Sequence, residues 1–339
     1  MALVKSRALL LAGCALFPCL IAPAARADET NIVIPDPDSI ITFQWENASI
    51  TTSDLPDRYY VNGLRAGYTS PTGDVPNFVA NIGHTLWGDG LQRISVNLDQ
   101  WMYTPAATDI APPPASDEPY AGVLTADFSL MQDTDYWRSI LGVDVGVLGP
   151  DAGAGFVQHN FHNLIGQSTP VGWSYQMPNE PILEFISERV WRLPTGHVGG
   201  LETDALPDVT AGVGNLWIYG LAGAVFRIGQ GLDSDYGVAR IRPGMSGGDG
   251  FTPVRDFNWY FFAGADAQVF GYNAVLQGEP LQSTPGVSMD PLVGEMEAGF
   301  AVILKGVRIS YTQVFQTTTF HGEHGGLHQF GSLLAQVRF

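Results

Sequence analysis

Strict two-residue alternation, with charge confined to one set of positions, constrains this chain most. In "RISVNLDQWMY", Ile94, Val96, Leu98 and Met102 alternate with Arg93, Ser95, Asn97 and Asp99. In "VRISYTQVFQ", Val307, Ile309, Tyr311 and Phe315 alternate with Arg308, Ser310, Thr312 and Gln316. "GEMEAGFAVIL" puts Met296, Ala298, Phe300 and Val302 on one face, with Glu295 and Glu297 on the other. Successive side chains on a strand point to opposite faces, so each segment has one apolar wall and one that carries ionised groups. A sheet between lipid and a polar lumen needs that division.

Segments long enough to be strands fall at 39–47, 58–70, 91–103, 119–132, 136–149, 180–193, 206–214, 216–230, 256–275, 290–305, 307–320 and 329–339. There are twelve, an even number, as closure of a bacterial single-chain barrel requires. The last, "LLAQVRF", places Leu333, Ala335, Val337 and Phe339 on one face. A soluble sandwich alternates too, but it has no reason to end on an aromatic residue, as outer-membrane barrels do. The expected fold is all-β: a 12-stranded antiparallel transmembrane β-barrel with a short helix in an extracellular loop. With the N-terminus periplasmic, Asp133-Thr134-Asp135 and Lys305-Gly306 are short periplasmic turns. Connections 104–118, 150–179, 276–289 and 321–328 fall outside, and the long connections 71–90 and 231–255 fall in the periplasm.

The first residues read as an export signal. Lys5 and Arg7 precede the mostly apolar run Ala8 to Ala24, and Ala25-Arg26-Ala27 is a small-x-small cleavage site. The division is therefore a signal peptide at 1–27 and one barrel domain at 28–339, with no internal repeat. Leu11-Ala12-Gly13-Cys14 is an alternative lipoprotein site, but the apolar run before Cys14 is short and continues past it. Cleavage after Ala27 removes both cysteines, three of the 16 basic residues and none of the 34 acidic ones, for a net charge near −21. Thiol chemistry drops out, and so does nucleic acid as a partner. No later stretch approaches the ~18 apolar residues of a membrane-spanning helix.

Residues 151–166 suit a short helix at the outer rim, with Val157, Phe161 and Leu164 on its apolar face. Gln158 and His162, four apart, share the neighbouring face, while His159 lies elsewhere. Asn47 ends the first strand, and Thr104 and Asp117 flank the loop after the third. "DRYY" (57–60) reads as a rim motif, with an ion pair and aromatics at the lipid interface. His321, Glu323, His324 and His328 share one external loop without the spacing of a helical metal site.

Several stretches resemble the outer-membrane lipid A 3′-O-deacylase (LpxR-like) family over nearly the whole mature chain. They are "ITFQWEN…DRYYVNGLRAGYTS", "MYTP…DEPYAG", "VDVGVLGPDAGAGFVQHNFHNLIG…GW…Q…NEP", "VGNLWIYGLAGAVFRIG" and "FGSLLAQVRF". The resemblance implies a twelve-stranded barrel in the bacterial outer membrane. It implies hydrolysis of the 3′-linked acyl esters of lipid A, with outer-leaflet lipopolysaccharide and the outer-membrane insertion machinery as partners, and a monomer. His162 matches the family's catalytic histidine, a general base for water. Gln158 matches a site glutamine, and Asn47 the asparagine of an Asn-Asp pair. The implied cofactor is Ca²⁺, which would polarise the ester carbonyl.

The site diverges from that pattern. The Asn-Asp pair reads Asn47-Ala48, and the family's hydroxyl residue is Val61. The loop 104–118 has no Lys or Arg to hold phosphate, and Ser168 stands where some members carry a carboxylate. Calcium needs several oxygen ligands, which Asp54, Asp57, Asp117 or Glu118 would have to supply. The competing expectation is a catalytically degenerate member, a lipid-binding or structural outer-membrane barrel. A diffusion porin is the weakest reading, because twelve strands enclose little lumen.

Overall fold

A computed structural model describes residues 34–52, 58–241, 243–245, 248–278, 281–282, 284 and 286–339. The expected signal peptide and two of the metal candidates, Asp54 and Asp57, lie outside these residues.

The strands are β1 (Ile40–Asn47), β2 (Tyr59–Thr69), β3 (Leu91–Thr104), β4 (Ala121–Asp133), β5 (Trp137–Leu148), β6 (Glu180–Trp191), β7 (Leu193–Val198), β8 (Leu201–Gly214), β9 (Trp217–Gln230), β10 (Phe257–Asn273), β11 (Leu292–Leu304), β12 (Val307–Gln316) and β13 (His328–Arg338). Each wall strand pairs antiparallel with its neighbours in sequence. β1 pairs with β13, and β6 pairs with β8, so the sheet closes into a twelve-stranded barrel. The thirteenth strand, β7, pairs with β8 alone and extends its periplasmic end as a hairpin. Closure removes the unpaired strand edges that lipid could not satisfy.

The alternation sorts as expected. Leu98, Phe300 and Ile309 are exposed on the outer face, while Asp99, Glu297 and Arg308 are buried in the lumen. Lys305 and Gly306 form the tight β11–β12 turn with positive φ at both residues, 47° and 84°. Among the described residues no helix is long and apolar enough to cross a membrane.

The two long periplasmic connections do not stay in the periplasm as extended loops. The described residues of 231–256 turn inward and fill the lumen. Leu232 and Val238 pack against Tyr260, Phe262 and Leu334, and Phe251 packs against Ile40 and Ile303. Arg240 of this segment meets Glu46 at 3.2 Å, Glu297 at 3.2 Å and Glu295 at 3.7 Å. Asp235 takes Arg227 at 2.5 Å and Arg308 at 2.9 Å. The apolar residues leave water, and the charges pair with wall residues that would otherwise be buried alone. The barrel is plugged, which disfavours the porin reading.

The other connection, 71–90, forms α1 (Asn77–Trp87). The helix expected in the external loop is α2 (Ala154–Ile165), preceded by a 3₁₀ turn at Pro150–Ala152.

Candidate active site

α2 lies against the outside of the barrel, not over its mouth. Asn62 and Leu64 on β2, and Gln100 and Met102 on β3, belong to the outward set, like exposed Leu98. Yet Met102 is buried, in one cluster with Val61, Ala154, Val157 and Trp173. Gln100 donates through Nε2 to the carbonyl of Ala152 at 2.6 Å, which ties the start of the helix to the wall. Gly122, opposite Met102, makes room for that approach: a Cβ there would stand 2.7 Å from the Ala154 methyl.

Between α2 and the wall runs a cleft of about 350 Å³. The ends of β1 and β2 form one side, with Trp45, Asn47 and Ser49 beside Val61, Asn62 and Leu64. The helix forms the other, with Val157, Phe161 and Ile165 beside Gln158 and His162. Leu164, expected with Val157 and Phe161, points away and is 82% exposed, because Ile165 takes its place.

Three of the sequence-selected residues therefore come together: Asn47, Gln158 and His162 line one cleft. Nδ1 of His162 lies 2.8 Å from the carbonyl oxygen of Ser168. A carbonyl only accepts, so Nδ1 carries a proton, and in the neutral imidazole the lone pair is on Nε2. The family position that some members fill with a carboxylate thus serves the imidazole through its backbone. Gln158 is buried, and its Oε1 accepts from the indole Nε1 of Trp173 at 2.6 Å, so its amide nitrogen is the end left for a ligand.

On the opposite wall, Oδ1 of Asn62 accepts from Trp45 Nε1 at 2.8 Å and from Asn47 Nδ2 at 3.0 Å. Its own Nδ2 is the remaining donor. Asn47 Oδ1 in turn accepts from the backbone N–H and the hydroxyl of Ser49. Asn62 and Trp173 belong to stretches that carry the family resemblance, but the sequence assigns a role neither to them nor to Ser49. Each became relevant only when the helix closed over it.

The two described metal candidates, Asp117 and Glu118, do not join this group. Asp117 accepts from the amides of Ala106, Ala107 and Glu118 within its own loop. Glu118 lines a different, smaller cavity in the barrel mouth, with Tyr60, Tyr103 and Glu295. Burial, with Glu323 and Asp117 nearby, holds its carboxyl well above the usual range. Ala48 points away from the cleft into a cluster with Val314, Phe330 and Tyr60. Among the described residues the cleft has no carboxylate, and no three His, Cys, Asp or Glu are placed to hold a metal. Among the described residues this donor set does not suit calcium. Thr104 is buried and outside the cleft lining.

One other rim expectation changes, and the ion pair expected at Asp57 lies outside the described residues. Tyr59 and Tyr60 turn into the barrel mouth, where Tyr60 donates to Glu46 at 2.8 Å and Arg58 stacks on Tyr59. Arg240 of the plug gathers the buried wall carboxylates Glu46, Glu295 and Glu297, and Glu46 also accepts from the Tyr60 phenol, so the aromatics serve the lumen and not the lipid interface. The loop histidines disperse: His321 pairs with Asp290 at 2.6 Å, and His328 Nε2 lies 3.1 Å from the carbonyl of Tyr60.

Comparison with known proteins agrees with this fold. A family model described as "Outer membrane protein LpxR" matches residues 9–339. Among solved structures, LpxR from Salmonella typhimurium aligns with a TM-score of 0.71 at 21% identity, covering 89% of this chain and 100% of that chain. The β domain of the Bordetella autotransporter BrkA aligns with a TM-score of 0.41 at 8% identity, covering 89% and 98%. No curated protein matches the sequence.

Proposed function

The chain belongs to the LpxR family of outer membrane proteins, and on that footing we propose that it hydrolyses an acyl ester of lipid A, the 3′-linked chains, with His162 as general base. One observation carries the reading. His162 and Gln158 line an apolar cleft on the outer wall, at the end opposite the short turns, where an outer-leaflet lipid can reach them.

His162 Nδ1–H is held by the Ser168 carbonyl, so Nε2 can take a proton from water as that water attacks the ester carbonyl. The same proton then passes to the leaving sugar hydroxyl. Developing negative charge on the carbonyl oxygen meets amide donors, Gln158 Nε2 from the helix and Asn62 Nδ2 from the wall. Leu64, Met102 and Phe161 exclude water and accept the acyl chain. With a carbonyl behind the imidazole instead of a carboxylate, the imidazolium gains less stabilisation.

A second reading is favoured by the charge inventory. The cleft lining holds no Lys or Arg for lipid A phosphates, which suits a barrel that binds a lipid without turning it over.

Mass spectrometry of lipid A from membranes expressing the wild type or His162→Ala separates the two. Loss of a 3′-linked acyl group with the wild type alone supports the hydrolase. Unchanged lipid A with both folded barrels overturns it.

A further inference from the structure

From the packing of α1 we infer that this helix is an interfacial anchor whose exposed stripe lies among the glycerophospholipids of the inner leaflet. The argument begins with two glutamines. Gln92 on β3 and Gln132 on β4 are opposite one another in register, and both belong to the outward set with Val96 and Phe128. At that end of the wall they would face lipid, yet both are buried. Leu130, also outward, is only 5% exposed.

What covers them is α1. Gln92 Nε2 donates to the Ala80 carbonyl at 3.2 Å and to Gln132 Oε1 at 2.7 Å. Gln132 Nε2 donates to the Gly88 carbonyl at 3.1 Å, just past the helix. Gly83 is the point of closest approach: a Cβ there would come within 2.5 Å of Gln92 Nε2. The connection 71–90 thus folds back onto the outside of the barrel, at its periplasmic end, on the side the membrane occupies.

The helix does not bury its whole apolar face in doing so. Phe78, Ile82 and Leu86, at i, i+4 and i+8, remain 73%, 44% and 58% exposed. Successive residues advance by about 100°, so this stripe stands beside the line that touches the wall and is continuous with it. Asn77, Asn81, His84 and Thr85 form the remaining, polar face. The stripe also prolongs the lipid-facing belt of Val96 and Phe128 on the strands beneath. Trp87 closes the helix with an aromatic of the kind that settles at the membrane–water boundary.

Asn77–Trp87 contains no Asp, Glu, Lys or Arg. The anchor therefore works by apolar burial alone, suits zwitterionic phospholipid and does not depend on salt, unlike basic interfacial helices.

Both cysteines lie in residues 1–27, so Ile82→Cys and Asn81→Cys in the mature barrel each give one labelling site. Each variant, carrying an environment-sensitive fluorophore, would be reconstituted into phosphatidylethanolamine/phosphatidylglycerol vesicles. The expected result is blue-shifted emission at position 82, quenched several-fold more by lipid-borne nitroxide than by iodide. Position 81 should show the reverse, and neither should change between low and high salt. Equal iodide access at the two positions overturns the proposal. Shielding of position 82 that persists in detergent and rises with protein concentration also overturns it, and assigns the stripe to a second copy. A Phe78→Glu variant adds a control on folding: it should remain barrel-folded in detergent and lose thermal stability only in vesicles. Equal loss in both media counts against an anchor.

Discussion

The bond between Trp173 and Gln158 decides whether the cleft has a working amide, and its removal can be sized. Trp173→Phe keeps a ring against Tyr120, whose centroid lies 5.1 Å away, but deletes the indole N–H. Gln158 is 6% exposed, so its Oε1 would lose its 2.6 Å partner with little water to replace it. A buried acceptor left unmade costs about 1–3 kcal/mol. At 1.4 kcal/mol per tenfold, that lowers the population of the docked, correctly turned Gln158 by roughly 5- to 150-fold. The wall ladder does not pass through this bond, so the barrel's melting should hardly move. Hydrogen exchange of the α2 amides reads the docking directly, and kcat/KM on an acyl ester reads its consequence. Gln158→Leu strands the indole N–H instead, while the double variant strands neither group. The double change should therefore cost about 1–2 kcal/mol less than the sum of the single changes. Strict additivity, or unchanged exchange in Trp173→Phe, would refute the claim that this bond orients the glutamine.

Other perturbations test the frame around the site. Arg240→Met leaves Glu46, Glu295 and Glu297 without their shared cation, and breaking such a buried group typically costs about 3–5 kcal/mol; a large drop in the barrel's melting temperature is expected, and an unchanged value would mean the cluster does not depend on this cation. Ala48→Asp should destabilise and restore no activity, since position 48 faces Val314 and Phe330 instead of the cleft; a gain in ester hydrolysis would show that the β1 end can reverse its facing. Glu118→Gln should stabilise at neutral pH. Burial raises the Glu118 carboxyl, so the folded state holds its proton more tightly than the unfolded chain. The wild type is then unpenalised below about pH 4 and loses stability as pH rises through and above the ordinary carboxylate range. Melting curves at pH 4 and pH 8 should show the variant ahead only at pH 8.

The strands were legible because lipid and lumen impose opposite demands on successive residues, and a strand obeys both along its length. The covering of one protein surface by another was far less legible. Leu98 faces lipid and Met102 faces α2, and both are simply apolar. The signal that did exist was polar. Gln92, Gln100 and Gln132 interrupt the outward set of β3 and β4, and each donates to the backbone of a covering segment. A glutamine on the lipid side of a barrel strand marks a place where lipid is not the neighbour. The plug was hidden for a different reason. Leu232, Val238, Arg240 and Phe251 have no period to follow, and their partners lie on strands distant in sequence. At the site, His162 and Gln158 could be placed on one helix, but Asn62 and Trp173 come from other elements and meet them only through the fold.

α1 and α2 dock on the same part of the wall, one near Gln92 and the other near Met102, at opposite ends of β3. Ten residues of strand separate those points, about 34 Å along the chain and about 25 Å along the membrane normal at the usual barrel tilt. With α1 seated at the inner boundary, that rigid span sets the height of His162. The protein then works as a caliper. Under the proposed hydrolysis, a bilayer of matching thickness would bring the imidazole to the outer-leaflet ester level, and a thicker or thinner one would set the same groups off register with that bond.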